Sequence, residues 1–306
     1  MPLANFLYII LYACFLLGLA GNIYWFFDLF SHFQYHYLFF FVASLVFFLR
    51  KKRYVYAFSA AIIVIIILFK ILPPTTPPIL KTNITRTSLS LLSINVNMEN
   101  TNHEIVNKVI KRLSPDILLL IEINKAWHNN IMLAHKQYRH NIIELRDDYF
   151  GIGLYSKTML SETRVNYLGG IKIPAIYAKL TKKDKTISIY GVHLDWPVTK
   201  SGSDHQNSQI IDLANLVNRE KSPSIVIGDF NLTPWSIRYR RFVQNTNINN
   251  CNDNKIFSGT WPRELSFLSI PIDHCFSTNE VNVINLSILS EDIGSDHFPI
   301  YVEIEY

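Results

Sequence analysis

The stretch Gly294-Ser295-Asp296-His297-Phe298-Pro299 stands just before the last strand-like segment of the chain, Ile300–Glu305. An acid beside a histidine carries little information alone. A second acidic motif, Gly228-Asp229-Phe230-Asn231, follows the apolar run Ser224–Ile227 about 70 residues upstream. In α/β scaffolds, catalytic side chains from distant positions are often gathered at the ends of strands. The two stretches therefore predict an α/β fold with a functional site at one edge of its sheets.

Three further apolar runs end in polar side chains, at Asn95, at Glu122 and at Asp273-His274. A solvated loop acid is the alternative interpretation of Glu122. Between the runs, apolar residues recur at helical spacing over 105–113 and 210–217, which predicts a helix between successive strands. Thr101 and Glu104 predict a capping box at the start of the first of these helices.

Charge is concentrated in one short segment. Five of the 29 basic residues and one of the 24 acidic residues lie in 1–73, so 24 basic and 23 acidic residues remain for 74–306. The formal net charge of +5 therefore comes mostly from Arg50-Lys51-Lys52-Arg53. It does not indicate a nucleic-acid-binding face.

Three apolar segments fill the N-terminal quarter, at about Leu3–Ala20, Tyr37–Leu49 and Tyr54–Leu72. The first and third reach the roughly 18–20 residues that a bilayer-crossing helix needs, and the second does so only if Phe33–Tyr37 joins it. Tyr and Trp at the segment ends suit lipid headgroups. A cleaved signal peptide is the alternative for the first segment, but no basic residue precedes it.

The basic cluster between the second and third segments predicts the topology, because such loops stay in the cytoplasm. Residues after Leu72 then lie on the extracytoplasmic side whether two or three segments cross. Residues 74–88, rich in Pro and Thr, predict an extended linker. We therefore predict a multi-pass cell-membrane protein with a transmembrane region of about three helices at 1–73, this linker, and an exported domain at 89–306.

Seven motifs in a fixed order carry a resemblance to a known family. They are Ser93-Ile94-Asn95-Val96-Asn97, Pro115-Asp116 with Leu120-Ile121-Glu122, Tyr149-Phe150-Gly151-Ile152-Gly153, Gly191-Val192-His193-Leu194, Gly228-Asp229-Phe230-Asn231, Ile272-Asp273-His274 and Ser295-Asp296-His297. The ordered set, over about 88–306, resembles the endonuclease/exonuclease/phosphatase superfamily of metal-dependent phosphoesterases, in a membrane-anchored bacterial branch. The resemblance implies a four-layer sandwich of two mixed β-sheets flanked by helices.

The resemblance also implies a metal site. Glu122 would be a ligand, Asn95 would offer an amide oxygen to the metal or an amide donor to a phosphate, and Asp296 would add an acceptor near the metal. Mg²⁺, which prefers oxygen ligands, is the expected cofactor, with Mn²⁺ as the alternative. Asn97 stands where the abasic-site endonuclease branch has a carboxylate, which counts against a DNA-repair nuclease.

Four catalytic roles come from the same resemblance. Asp229 is similar to the carboxylate that orients the attacking water, and Asn231 is similar to a donor that stabilises the transition state. His297 resembles the imidazole that stabilises the phosphate. Asp273 resembles the carboxylate that fixes the tautomer of that imidazole.

Two further residues match only some branches of the family. His193 matches a second active-site histidine of the deoxyribonuclease-like and sphingomyelinase-like branches. Tyr149 matches a tyrosine that contacts phosphate in some nucleases, and an aromatic at a strand edge is the alternative.

Other features have a structural and a functional interpretation. Arg238, with its neighbours Arg240 and Arg241, predicts either a solvated helix face, the commoner case, or a cationic rim for phosphates. Trp261-Pro262 is a candidate lining of the substrate groove. Cys251 and Cys275 are either free thiols or, in an oxidising compartment, a disulfide.

The expected function is a membrane-anchored, divalent-metal-dependent phosphodiesterase, with nucleic acid, DNA or RNA, as the default substrate. The first alternative is a phospholipase C-like or sphingomyelinase-like enzyme that acts on a phospholipid headgroup, which membrane tethering and His193 favour. The second is a non-catalytic membrane protein that binds phosphorylated ligands. No protein partner is inferred from the sequence.

Overall fold

The structure is a computed structural model that describes residues 3–72, 87–252 and 258–306. Most of the predicted linker lies outside the described residues. Four helices come first, α1 (Leu3–Leu19), α2 (Trp25–Leu29), α3 (Gln34–Arg50) and α4 (Tyr54–Ile71), and a 3₁₀ turn at Phe30–Phe33 joins α2 to α3.

Two helical stretches, Trp25–Arg50 and Tyr54–Ile71, are long and apolar enough to cross a membrane, with mean hydropathies of 1.4 and 2.4. The second apolar segment, predicted at about Tyr37–Leu49, is longer in the structure. Helical residues on its N-terminal side extend it to Trp25–Arg50. The first segment forms a shorter apolar helix of 17 residues. The length and composition of these helices point to association with a membrane.

The rest of the described chain alternates strands and helices. The helices are α5 (His103–Leu113), α6 (Lys125–Ala134), α7 (Lys200–Arg219) and α8 (Ile237–Gln244). The strands are β1 (Ser88–Asn95), β2 (Ile117–Ile121), β3 (His140–Glu144), β4 (Ile152–Ser156), β5 (Leu160–Tyr167), β6 (Pro174–Lys182), β7 (Lys185–His193), β8 (Ser224–Asp229), β9 (Ile248–Asn250), β10 (Asp273–Thr278), β11 (Asn282–Ile288) and β12 (Ile300–Glu305).

These strands form two six-stranded sheets, in the orders β11-β12-β1-β2-β4-β3 and β5-β6-β7-β8-β10-β9. Each sheet is mixed: β1 and β2 are parallel, as are β7 and β8, while the other pairs are antiparallel. The strand–helix–strand units β1-α5-β2 and β7-α7-β8 supply these parallel pairs, as right-handed crossovers commonly do.

A continuous apolar core lies between the two sheets, with Leu119 and Ile121 of the first sheet packed in one cluster with Ile189 and Ile227 of the second. Helices α5 and α6 cover the outer face of the first sheet, and α7 and α8 cover that of the second. The predicted four-layer sandwich is confirmed.

The sheets bring the polar strand ends to one edge. Asn95 ends β1 and pairs in register with Ile121 at the end of β2. His193 and Asp229, at the ends of β7 and β8, pair in register, and Asp273 opens the antiparallel neighbour β10 opposite Asp229. The carboxyl ends of the parallel strands and the start of β10 therefore face each other across the sandwich.

The N-terminal helices pack against the loop that follows β8. The carboxylate of Asp28, 1% exposed, accepts hydrogen bonds from the Ser236 hydroxyl at 2.6 Å and from the Ile237 N–H at 3.0 Å. The His32 Nδ1 accepts from the Thr233 N–H at 3.3 Å. A polar contact thus joins the helical region directly to the site edge of the sandwich.

The capping-box prediction is wrong. Asn102 precedes α5 without a side-chain capping bond, and Glu104 pairs with Lys108 instead. The side chain of Asn100 accepts from the Asn102 N–H and so sets where the chain enters the helix.

Candidate functional site

Asn95 stands between the two halves of the site. Its Nδ2 donates to Glu122 Oε1 at 2.9 Å and to Asp229 Oδ2 at 3.2 Å. Its Oδ1 accepts from the backbone N–H of Asn97 at 3.1 Å, and this bond fixes which end of the amide faces the carboxylates. The contacts favour the role of amide donor over that of metal ligand.

His297 and Asp273 form a buried pair. The His297 Nδ1 lies 2.9 Å from Asp273 Oδ2, and its Nε2 lies 3.7 Å from Asp229 Oδ2. Two hydroxyls to which the sequence motifs assign no role hold this pair: the Thr260 hydroxyl accepts from the Asp273 N–H, and the Ser295 hydroxyl accepts from the His297 N–H. One imidazole nitrogen is thereby oriented toward Asp229.

His193 and Asn231 lie on the other side of Asp229. The His193 Nε2 is 3.7 Å from Asp229 Oδ2 and has no hydrogen-bond partner among the described residues. The backbone N–H of Asn231 donates to Asp229 Oδ1 at 2.8 Å, and its side-chain amide donates to the Leu194 carbonyl at 2.9 Å. The Asn231 N–H thus holds Oδ1 of Asp229, and Asn95 holds Oδ2.

Glu122 and Asp296 line one cavity together with Asp229, Asn231 and His297. Its volume is about 570 Å³. Asp296 Oδ2 accepts from the indole N–H of Trp261 at 2.9 Å, and the Trp261 ring lines the cavity, as the sequence suggested.

Tyr149 lies at the rim of this cluster. Its hydroxyl donates to Glu99 at 2.5 Å, and its ring centroid is 6.4 Å from that of Trp196, a residue of the cavity wall. The side chain does not line the cavity that holds the other predicted site residues.

The backbone at the site is strained. Asn97, Glu122, Tyr149 and Asn231 have φ values of 58°, 63°, 67° and 51°. Such left-handed conformations cost a residue with a side chain about 1–3 kcal/mol and concentrate at functional sites. Gly228 has φ 145°, and a Cβ there would lie 2.0 Å from the Val192 carbonyl oxygen. Glycine therefore lets β8 approach β7 directly before Asp229.

The two histidines of the site differ in charge. Burial alone would lower the pKa of His297, but Asp273 and Asp229 raise it to about 10. Burial and the positive charge of His297 lower the pKa of His193 to about 3. At neutral pH the site therefore contains one imidazolium and one neutral imidazole.

The carboxylates are in excess. Burial raises the pKa of Glu122, and burial together with Asp273 raises that of Asp229. Among the described residues, no Lys or Arg side chain pairs with these two carboxylates, with Asp273 or with Asp296. Four carboxylates face one imidazolium, so a divalent cation fits the charge of the site and would lower these pKa values.

The oxygen-rich set Glu122 and Asp296 suits a hard cation. A second group, Asp229, Asp273 and His297, offers ligand atoms within 4.8 Å of one another. The Asp273 and His297 atoms of this group already share a hydrogen bond.

The structure corrects the interpretation of Arg238 and selects one of the two alternatives for the cysteines. Arg238 belongs neither to a solvated face nor to a cationic rim: it is 5% exposed and donates to Gln206 and Ser203. It is buried because α8 packs against α7 and the N-terminal helices. Cys251 and Cys275 form a disulfide.

The sequence did not indicate that N-terminal residues contribute to the site. Leu29, His32 and Phe33 line the same cavity as the acidic cluster. Nothing in their local pattern signals this, because they lie about 200 residues from Asp229 along the chain and meet it only through packing.

The sequence profile of the endonuclease/exonuclease/phosphatase family matches residues 92–297. No curated protein matches the chain significantly by sequence. Among solved structures, the fold is similar to a family protein from Bacteroides thetaiotaomicron (TM-score 0.62, 19% identity, 73% of this chain and 99% of that one). It is also similar to a humanised D. rerio TDP2 (0.61, 18%, 71% and 98%) and to the human Nocturnin catalytic domain (0.57, 16%, 72% and 97%). At these identities the likeness concerns the fold alone.

Proposed function

The chain belongs to the endonuclease/exonuclease/phosphatase family of phosphoester hydrolases, and we propose that it is a membrane-anchored phosphodiesterase that works with a divalent cation, Mg²⁺ or Mn²⁺. The observation that carries the proposal is the cluster of four carboxylates around one imidazolium, with no Lys or Arg paired to those carboxylates among the described residues. Glu122 and Asp296 would hold the cation. When bound, it would neutralise charge on the phosphoryl oxygens.

The remaining steps, orienting the water and protonating the phosphate, would fall to side chains of the protein. Asp229, fixed by Asn95 and by the Asn231 N–H, would orient a water for in-line attack on phosphorus. His297, held by Asp273, would donate its Nε2 proton to a phosphate oxygen. His193 is neutral, so it would accept or donate a hydrogen bond without adding charge.

The simplest test uses a substrate without a recognition element. The full-length chain, purified in detergent, should hydrolyse methyl p-nitrophenyl phosphate with Mg²⁺, lose this activity with chelator and regain it with Mg²⁺ or Mn²⁺. Asp229→Asn should lose it as well. If the wild-type chain binds phosphorylated ligands but hydrolyses none, the non-catalytic alternative is correct.

We further propose that the catalytic part lies outside the cytoplasmic membrane. Arg53, in the basic cluster, donates to Asn5 at 2.6 Å, so the N-terminus and the basic loop share one end of the helical region. Asp28 contacts the catalytic part at the other end. The Cys251–Cys275 disulfide is typical of oxidising compartments and supports the same orientation.

The sequence predicts nucleic acid as the default substrate. A D. rerio TDP2 of similar fold was solved with a single-strand DNA product, at 17% identity to this chain. The near balance of charge over 74–306 gives this expectation no electrostatic support.

A further inference from the structure

The cavity at the active site has two chemically different parts. One is the acidic and imidazole cluster described above. The other is a wall of large apolar side chains from three parts of the chain: Leu29, Phe33, Trp196, Val198, Trp261 and Ile270. A site for a phosphodiester alone would not require this wall.

Several wall residues are exposed. Phe33 is 42% exposed, Trp196 43% and Val198 63%. Apolar side chains grouped around a polar centre mark ligand sites, because covering them with an apolar group releases water from their surface. The exposed wall therefore indicates a ligand that carries an apolar portion next to its phosphate.

The N-terminal part of the wall is fixed in place. The Asp28 bonds to Ser236 and Ile237 hold the residues that follow it against the loop after β8. The ring of Tyr35 packs on that of Trp235 at 4.8 Å between centroids. Leu29 and Phe33 lie between these two attachments along the chain, so both attachments hold them at this side of the site.

The cavity lining does not suit a polyanion. Among the described residues that line it, none is Lys or Arg. Nucleic-acid grooves combine stacking aromatics with cationic side chains along the backbone. Here Trp196 and Trp261 supply aromatic surface without those cations.

The wall also adjoins the apolar helices. Phe33 belongs to Trp25–Arg50, one of the two stretches that are long and apolar enough to cross a membrane. Phe33 therefore connects the cavity wall to an apolar helical stretch.

We propose that the substrate is a phospholipid of the surrounding membrane, with its phosphodiester at the acidic cluster and its acyl chains along the wall that includes Phe33 and Val198. This assignment rests on the phosphodiesterase function proposed above. In the reaction a water oxygen bonds to phosphorus and the bond from phosphorus to the glycerol oxygen breaks. The glycerol oxygen takes up a proton, and the second proton of the water is released, so the products are diacylglycerol and the phosphomonoester of the headgroup alcohol.

The test uses the full-length chain in detergent with Mg²⁺. The substrates are mixed micelles of phosphatidylcholine, phosphatidylethanolamine and phosphatidylglycerol, the same three diesters without acyl chains, and single-stranded DNA. Products are followed by phosphorus NMR and by diacylglycerol release. Methyl p-nitrophenyl phosphate in parallel reports on the phosphodiesterase itself.

We expect kcat/KM for at least one phospholipid to exceed that for its deacylated form by about 100-fold or more, since each buried methylene adds to binding. The quantity compared between variants is kcat/KM for the phospholipid divided by kcat/KM for methyl p-nitrophenyl phosphate. Phe33→Ser and Val198→Ser should each lower this ratio by about 10-fold. Phe39→Ser is the matched control, because Phe39 lies on α3, is 69% exposed and does not line the cavity. Its kcat/KM values for the phospholipid and for methyl p-nitrophenyl phosphate should both stay unchanged.

Three results would overturn the lipid assignment: cleavage of DNA with the phospholipids intact, equal rates on acylated and deacylated diesters, or wild-type ratios in both wall variants. Failure to hydrolyse methyl p-nitrophenyl phosphate would instead refute the phosphodiesterase function on which the assignment rests.

Discussion

At the scale of single residues, the site depends on one imidazole being held by one carboxylate. His297 and Asp273 share a 2.9 Å hydrogen bond, and both side chains are buried. The charged ring is stabilised by Asp273 and, in turn, presents its Nε2 to the space near Asp229. The two residues therefore act as a unit.

We predict that His297→Ala, Asp273→Asn and the double variant lose comparable factors, roughly 10²–10⁴-fold in kcat. The losses overlap because Asp273 acts through the ring that the first variant removes. Steady-state kinetics on methyl p-nitrophenyl phosphate measures this. His140→Ala is the control, since His140 pairs with Ser156 at the far end of β4 from the site. Full activity of Asp273→Asn beside a dead His297→Ala would disprove the pairing.

Glu122 is the second single residue whose substitution tests the site. It is a half-buried carboxylate whose partners are an amide and a backbone N–H, Asn95 and Met98. We predict that Glu122→Gln raises the Mg²⁺ concentration for half-maximal activity by at least about 10-fold, because a neutral ligand replaces a charged one. The measurement is a Mg²⁺ titration after chelation. Glu104→Gln, at an exposed pair with Lys108, should leave the titration unchanged. An unchanged curve for Glu122→Gln would remove this residue from the metal site.

At the scale of elements, Glu220 ties the end of α7 to β6 and to the turn before β8. It accepts from the Tyr177 hydroxyl and from the N–H groups of Lys221 and Ser222. Burial alone would raise its pKa, but these donors and Lys179 lower it to about 2.

A pKa below the unfolded value means that the carboxylate stabilises the fold at neutral pH, and that this contribution disappears as the pH falls from about 4.5 to about 2. We predict that Glu220→Gln lowers the Tm at pH 7 by a few degrees, about 2–4 °C. The difference from wild type should shrink toward pH 2. Thermal denaturation in detergent across pH tests this, with Glu291→Gln, an exposed partner of Arg112, as control. A difference that grows on acidification would contradict the prediction.

The second contact at this scale joins α2 to α8 through Asp28. We predict that Asp28→Ala lowers the Tm and loosens the N-terminal side of the cavity. The substitution removes the carboxylate that accepts from the Ser236 hydroxyl and from the Ile237 N–H at the start of α8. The cost should be about 1–3 kcal/mol. Protease sensitivity of the 3–72 region is the readout, and Ser201→Ala, on the exposed start of α7, is the control. Wild-type sensitivity in Asp28→Ala would show that the contact does not hold the two parts together.

At the scale of the whole molecule, hydrogen bonds connect the basic loop to the N-terminus and the helical region to the sandwich, through Arg53 and Asp28. We predict that a reporter active only in the cytoplasm is silent when fused after Tyr306, and that a fusion after Lys51 is active. A membrane-impermeant thiol reagent applied to intact cells should label Cys251 and Cys275 only after reduction, because they are joined in the structure. Strong cytoplasmic activity of the Tyr306 fusion would reverse the proposed orientation.

The sequence by itself predicted the fold class and the strands that end in polar side chains. It also predicted nine site residues, of which the structure places eight close together and Tyr149 at the rim. It did so because periodicity and strand-ending motifs are local, and because parallel strands bring their carboxyl ends to one edge. The start of α5 was missed because Asn100, rather than the predicted capping pair, positions the chain there.

Only the tertiary structure decided which way Asn95 presents its amide, that Arg238 is buried, that Cys251 reaches Cys275 and that Phe33 lines the active site. The last three depend on elements that are separate in sequence and meet in the fold, and the amide of Asn95 also depends on its contacts with Glu122 and Asp229. A local pattern specifies which face of an element is apolar, but the neighbour that covers this face is chosen by the packing of the whole chain.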